Sequence, residues 1–384
     1  MATNFFLAIN FYALLTTGAL FAISELGESE SKAGFAAGVY VIGSLASRSL
    51  LSRYANRIGF KRMLYFSVGA LIVFSALHFV VSDFILLCVV RFFCGASFGV
   101  NNNTLMTTVA SLVPYERKGE GIAWYSLSQI LGMALGPFFA VYIIYSQGFN
   151  GVFILITAVA VLAFILLLFI RLPRGIEQFQ DLAHFAPETD EETKRNSGIW
   201  KFFERSALKI ALLCFIIYIC NANFMSFAAV FVSDSGAENL ASAIFLANAF
   251  AMLATRPFVG KLFDKYGPNM LLVTGFILFA AGLFLLGKGS YDIFIPSSLL
   301  IGLGISAFQG TTIAIVVKNA PPHRLSVTNA TYFNALDLGA AVGPVIGGSI
   351  TEFAGYGTMY YTMAIITIMC LPLYFLVLSR RRPA

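Results

Sequence analysis

A basic stretch from Arg48 to Arg62 (RSLLSRYANRIGFKR) separates two long apolar runs, and a version of it returns at Arg256 to Asn269 (RPFVGKLFDKYGPN). A shift of 208 positions lays Arg48 on Arg256, Ser52 on Gly260, Asn56 on Asp264, Arg57 on Lys265 and Gly59 on Gly267. A shift of 207 continues the match, with Gly95 on Gly302, Thr104 on Thr311, Pro114 on Pro321, Arg117 on Arg324, Tyr125 on Tyr332, Gly132 on Gly339 and Gly136-Pro137 on Gly343-Pro344. The chain is a tandem repeat, so its fold must be two like halves. A short loop of Arg, Lys and Gly between hydrophobic segments reads as a tight turn that holds cations on one side of a membrane.

Composition supports the membrane. Of 384 residues, 58% are hydrophobic and 11% charged, against about 25% charged in soluble domains. Runs such as 63–81, 151–170 and 358–378 are nearly free of charge, and about 20 residues of helix cross the ~30 Å hydrocarbon layer. Strands of an outer-membrane barrel would instead alternate over about ten residues. The first run, Asn4 to Ser24, has no basic leader and no cleavage site before a polar mature domain, so it reads as a retained helix. The expectation is an all-α integral membrane protein with twelve transmembrane helices, near 4–24, 34–51, 63–81, 84–112, 121–145, 151–170, 207–232, 240–258, 270–287, 293–317, 325–352 and 358–378. Residues 171–205, polar and carrying the acidic run Glu188 to Glu192, form the expected linker between six-helix bundles at 1–170 and 206–384.

Charge sets the orientation. The even-numbered connections and the tail hold Arg53, Arg57, Lys61, Arg62, Arg117, Lys118, the linker cations, Lys261, Lys265, Lys318, Arg324 and Arg380 to Arg382. The odd-numbered ones hold Lys32 and Lys288 among carboxylates that include Glu25, Glu28, Glu30, Asp234 and Glu238. Both termini and the linker are therefore expected in the cytoplasm, and the repeats are parallel, related by an axis along the membrane normal. The net charge of +6 is spread over loops and forms no nucleic-acid-binding face. Cys88, Cys94, Cys214, Cys220 and Cys370 lie in apolar runs without ligand spacing. No phosphate-binding glycine loop and no metal-binding His pair is present, so no cofactor, metal or nucleotide site is expected.

Ionisable residues inside the membrane are costly and face a partner or a cavity. Arg48 and Arg256 sit near helix ends and are expected to cap their loops, while Arg91 lies about 10 Å into the fourth helix and Asp337 about 18 Å into the eleventh. A carboxyl at that depth is suited to taking up and losing a proton, which makes Asp337 the expected proton-coupling group, with Arg91 biasing its charge. A polar set at similar depth supplies the expected substrate cavity: Asn101, Asn102, Asn103, Thr107, Tyr125, Gln129, Asn221, Asn223, Gln309, Tyr332 and Asn334, with Tyr12 and Phe224 as aromatic wall.

These motifs resemble the major facilitator superfamily along essentially the whole chain. Its loop signature G-x-L-x-D-R-x-G-R-K is similar to Gly260, Leu262, Asp264, Lys265 and Gly267, and to the first-half version Ser52, Tyr54, Asn56, Arg57, Gly59 and Lys61, where Asn56 replaces the usual acid. Arg91, Gly95 and Gly99 resemble its fourth-helix pattern. Gly132, Gly136 and Pro137, and in full Gly339, Gly343, Pro344, Gly347 and Gly348, resemble the G-x-x-x-G-P-x-x-G-G signature of the drug:proton antiporter branch, although the first helix carries no acid. The resemblance implies two pseudo-symmetric bundles in the major facilitator fold and a transporter rather than an enzyme. It also implies a gating loop at Arg48, Asn56, Arg57, Gly59, Arg256, Gly260, Asp264, Lys265 and Gly267. Further implied are multidrug efflux of small amphiphilic molecules in exchange for protons, a plasma (inner) membrane location, and function as a monomer in the lipid bilayer with no nucleic-acid partner. A metabolite, sugar or metallophore carrier of the same fold is the rival reading. Small residues four apart let helices approach closely, so the paired glycine motifs are expected to join the fifth helix to the eighth and the eleventh to the second.

The charge asymmetry makes the first prediction: a reporter fused after Ala384 is active inside the cell, as scored by paired inside- and outside-active enzymes, and activity outside alone would overturn the twelve-helix count.

Overall fold

The computed structural model describes residues 1–51, 59–113, 118–170, 203–320 and 325–377. All the regular structure among them is helical, as expected where lipid leaves the backbone no outside hydrogen-bond partner. Six helices are simple: α1 Ala2–Ser24, α2 Glu30–Leu51, α3 Phe60–Leu77, α4 Phe84–Leu112, α7 Arg205–Asp234 and α10 Tyr291–Lys318. Three longer stretches, Lys118–Leu168, Ala243–Leu286 and Leu325–Val377, each break at one glycine of positive φ, namely Gly148 (73°), Gly267 (76°) and Gly355 (81°). They give α5 (118–147) and α6 (149–168), α8 (243–266) and α9 (268–286), and α11 (325–354) and α12 (356–377). A residue with a Cβ resists that backbone, so each glycine turns one helix directly into the next. Gly59, with φ 88°, opens α3 at the position that the repeat pairs with Gly267. Elsewhere side chains cap: Asp83 accepts the Leu86 N–H at 2.9 Å before α4, and Glu204 accepts the Ser206 N–H at 3.3 Å before α7.

Nine stretches of the described residues are long and apolar enough to cross a membrane, two of them (124–168 and 327–376) containing a glycine turn between helices. α2 is not among them, and its ends carry Glu30, Lys32 and Arg48. Large apolar side chains turned outward, such as Phe66 (80% exposed) and Phe353 (90%), suit lipid contact rather than a water-facing surface.

The sequence repeat survives as a repeat of contacts. Gly95 of α4 faces the carbonyl of Tyr40 on α2, and its counterpart Gly302 of α10 faces the carbonyl of Asn248 on α8. Gly132 and Gly136 of α5 face Ala8, Ile9 and Ala13 of α1, while Gly339 and Gly343 of α11 face Phe215, Ile219 and Ala222 of α7. The Tyr125 hydroxyl donates to the Asn102 carbonyl at 3.1 Å, and the Tyr332 hydroxyl to the Gln309 carbonyl at 3.5 Å. This corrects the expected partners of the glycine motifs, which bind α5 to α1 and α11 to α7 inside each set of six helices. Spacing of four fixes that a neighbour comes close; it does not say which neighbour.

The two sets meet elsewhere. Call the face bearing Met1 the near face and the other the far face. On the far side, α2 runs antiparallel to α11 with backbones in contact: Gly34 faces the Pro344 carbonyl, Gly38 the Ala341 carbonyl, and Gly348 the Glu30 carbonyl. The Ser31 and Ser349 hydroxyls hydrogen-bond at 3.2 Å across the same seam, and Tyr145 of α5 hydrogen-bonds Ser233 of α7. Pro344 thus does touch α2, through its carbonyl rather than through Gly339 or Gly343.

Adding a side chain in the seam should force it apart. Gly34→Leu is expected to raise the labelling of a cysteine placed at Ser31 by a membrane-impermeant maleimide, and unchanged labelling would mean that the seam absorbs the bulk elsewhere.

Candidate functional site

Nearer the near face, one ion pair among the described residues crosses between the two sets: Arg48 Nη1 of α2 lies 2.6 Å from Asp337 Oδ2 of α11. Ten residues of α2 separate Gly38 from Arg48, about 15 Å of rise, whereas Ala341 and Asp337 are four residues apart on α11, about 6 Å. The two levels differ by about 9 Å along the seam, beyond Gly38, the last glycine of α2 to face α11, and long side chains bridge the offset. The Arg48 and Asp337 side chains keep 19% and 26% of their surface exposed, open to the gap between the helix sets. The guanidinium and carboxylate together lower a desolvation cost that neither could bear alone.

Polar groups of both sets surround the pair. Tyr12 of α1 lies near Gln129 of α5 and Asp337. Tyr125 of α5 faces Arg48, with its hydroxyl donating to Asn102 Oδ1 at 2.6 Å. From the second set, Tyr218 of α7 faces Asp337, Tyr12 and Arg256. Arg256 of α8 donates through Nη2 to Gln309 Oε1 on α10 at 2.9 Å, and Tyr332 meets Thr312 Oγ1 at 3.0 Å. Four phenols, three amides, two guanidiniums and one carboxylate therefore lie along α1, α2, α4, α5, α7, α8, α10 and α11, with Tyr125 and Tyr332 buried and the rest partly exposed. Such a lining can hold an aromatic or aliphatic body while offering hydrogen bonds at its edges. By contrast, an outer groove lined by Ile277, Phe284, Ile365 and Met369 is apolar and faces lipid.

The structure does not join Arg91 to Asp337. Arg91, 1% exposed, donates from Nε to the Ala36 carbonyl at 2.8 Å and from Nη1 to the Leu14 carbonyl at 2.9 Å, with its guanidinium 5.1 Å from the Tyr40 ring. Gly18 leaves the space that the guanidinium occupies. Depth did require a partner for Arg91, and the partner is a pair of carbonyls that ties α4 to α1 and α2. Arg48 and Arg256 likewise look inward, to Asp337 and Gln309, instead of capping loops.

Other expected cavity residues are also corrected. Asn101 is buried against Ser67 of α3 by a side-chain hydrogen bond. Asn223 is buried with Nδ2 on the Ile219 carbonyl at 2.9 Å, and Phe224 is buried with its ring 5.6 Å from that of Phe245. Asn101 thereby ties α4 to α3, while Asn223 bonds within α7 and also meets Met363 of α12. Asn221 is buried; Asn103, Thr107 and Asn334 are half-buried. Asn56, Arg57 and most of the linker lie outside the described residues, as does the Asp264 side chain; Gly260 and Lys265 are exposed. Tyr218 was missed by sequence reasoning, although a lone hydroxyl in the run CFIIYIC was a usable signal.

Comparison with known proteins agrees with this architecture. The family model described as Major Facilitator Superfamily matches residues 1–238 and 210–384. The chain is 28% identical over 371 residues to the multi-drug resistance efflux pump PmrA of Streptococcus pneumoniae, covering 91% of this chain and 88% of that protein. It is 24% identical over 288 residues to the uncharacterized MFS-type transporter MJ1560 of Methanocaldococcus jannaschii, covering 73% and 72%. Among solved structures it resembles a POT family transporter in complex with a thioalcohol-conjugated peptide (TM-score 0.78, 14% identity, 98% and 94% covered). It also resembles an inward-facing, unoccupied bacterial homolog of the human lysosomal transporter Spinster (TM-score 0.76, 13% identity, 100% and 98% covered).

The carbonyl-bound Arg91 makes a stability prediction. Arg91→Leu is expected to destabilise the protein by about 1–3 kcal/mol, read as a lower thermal midpoint in detergent, with Arg91→Lys intermediate; an unshifted midpoint would contradict the tie.

Proposed function

Because the chain belongs to the Major Facilitator Superfamily, we propose that it is a proton-coupled secondary exporter of small amphiphilic molecules, which rocks its two sets of six helices about the gap between them. The observation that carries this reading is Asp337, an acid deep in α11 that faces the gap and pairs across it. A carboxylate at such depth is tolerated when it is paired, protonated or hydrated, and each rocking step changes which of these is available. Supporting the efflux direction, relatives of this chain include proteins named as multidrug efflux pumps.

The positive-inside pattern assigns the near face to the cytoplasm. With the far-side seam shut, an amphiphile enters from the cytoplasm or the inner leaflet. Its apolar body lies among Tyr12, Tyr125 and Tyr218, and its polar group meets Gln129, Gln309 or Arg256. After rocking, the gap faces outside, where a proton from water reaches Asp337 as substrate leaves. The return step carries the proton inward as a neutral carboxyl, which crosses the low-dielectric middle at lower cost than the anion. A ligand that binds both states equally would move nothing, so the site must weaken its hold on substrate when Asp337 is protonated.

The test is transport in proteoliposomes. Asp337→Asn is expected to abolish accumulation driven by a pH gradient while leaving downhill exchange of the same substrate measurable. Wild-type accumulation by that variant would remove Asp337 from coupling, and proton movement in the same direction as substrate would reverse the export reading.

A further inference from the structure

We propose that Arg48 is the counter-ion against which Asp337 gives up its proton, so that protonation of Asp337 unties α2 from α11 across the two helix sets. The inference rests on the reading of Asp337 as the proton site, and it adds a second residue, which sequence reasoning had placed in a loop cap.

The repeat supplies the first argument. Arg48 and Arg256 are equivalent by the 208-residue shift, yet Arg256 is satisfied by a neutral amide, Gln309, in its own set, whereas Arg48 reaches into the other set. The position equivalent to Asp337 in the first half is Ile130 by the 207-residue shift. One of two symmetric places therefore carries a charge pair and the other does not. An arginine serving only to pack its own set had a precedent in the other copy; Arg48 departs from it.

The second argument is position. The pair forms nearer the near face than Gly38, the last glycine of α2 to face α11, so it joins the two sets beyond the glycine seam. Arg48 also lies three residues before the last residue of α2, at Leu51. Once Asp337 is neutral, a side chain so placed can extend to the polar layer at the near face, where a guanidinium is hydrated. Proton uptake thus exchanges an ion pair between the sets for a solvated arginine and a neutral acid. The proton comes from water in the gap and returns there when the pair forms again.

No other described group is placed to take over this role. Tyr12 from α1 and Tyr218 from α7 face Asp337, and both are phenols that stay neutral at physiological pH in the ordinary case. From α5, Tyr125 faces Arg48. From α8, Arg256 faces Tyr218 and Tyr332 while bonded to Gln309 of α10. On α12, Tyr360 donates to the Asn223 carbonyl at 3.4 Å.

The experiment measures the distance between the sets. Nitroxide labels at Lys61→Cys and Lys265→Cys, exposed positions of the first and second sets, are followed by pulsed electron resonance in nanodiscs across a pH titration. The expected result is two distance populations in the wild type that interconvert with pH. Asp337→Asn and Arg48→Gln should each hold the acid-side population at every pH, and Arg48→Lys should restore the conversion. A wild-type response in Arg48→Gln would overturn the proposal even where Asp337→Asn has lost pH-driven transport, which separates its failure from that of the proton reading. If Arg48→Gln alone does not fold, the double variant Arg48→Gln with Asp337→Asn carries the test. It should match Asp337→Asn in distances and downhill exchange, and any further loss would overturn the pairing.

Discussion

Charge inside hydrocarbon has to be answered from within the protein, and the answers given to three arginines and one aspartate organise this molecule. Arg91 is answered by the carbonyls of Ala36 and Leu14, which are fixed in the first helix set and hold α1, α2 and α4 as one body. Arg256 is answered by the amide of Gln309, which does the same between α8 and α10. Arg48 is answered by Asp337, and that answer crosses between the bodies. Carbonyls and amides do not titrate, so the first two ties are permanent. The third depends on a carboxylate, a group that can titrate, and under the proposed rocking it is the one that lies between the moving bodies.

Around these ties the packing has two grades. Within each set, glycines of α5 and α11 lie on α1 and α7, and Gly95 and Gly302 lie on α2 and α8, so that helix backbones approach without intervening side chains. Large rings fill the remainder: Phe11 stacks on Phe98 at 4.0 Å, and Phe231 stacks on Tyr356 at 5.7 Å. Between the sets the far seam is also backbone on backbone, but it spans only the outer part of α2 and α11. Among the described residues the two bodies meet along this seam, through one ion pair, and where α1 packs on α7 and the α5–α6 stretch on the α8–α9 stretch.

Much of the fold was legible because duplication leaves a record in register. Matched Gly, Pro, Tyr and Arg positions announced two like halves, and the same pairs reappear as matched contacts, down to Tyr125 on Asn102 and Tyr332 on Gln309. The turns at Gly148, Gly267 and Gly355 were legible as well, since Ser146-Gln147, Lys265 with Pro268, and Glu352 interrupt the apolar runs beside them and the expected helices break there. Depth along a helix was also legible, so Asp337 and Arg91 stood out. Azimuth was not. Whether a residue on α4 or α7 looks at the gap or at a neighbouring helix depends on packing from distant parts of the chain. That is why Asn101, Asn223 and Phe224 were misplaced and why Arg48, in the other half of the chain, was not recognised as the partner of Asp337.

The far seam has a kinetic corollary. Gly34, Gly38 and Gly348 present hydrogens to opposing carbonyls, so its two surfaces are smooth at these positions, with the Ser31–Ser349 hydroxyl pair as a side-chain tie across them. Parting such surfaces costs the Ser31–Ser349 hydrogen bond and short-range dispersion over a few contacts. Friction at the seam is correspondingly low. In the proposed exchange of substrate for protons, the tempo of the motion is then left to slower events, namely the transfer of a proton and the wetting or emptying of the space between the sets.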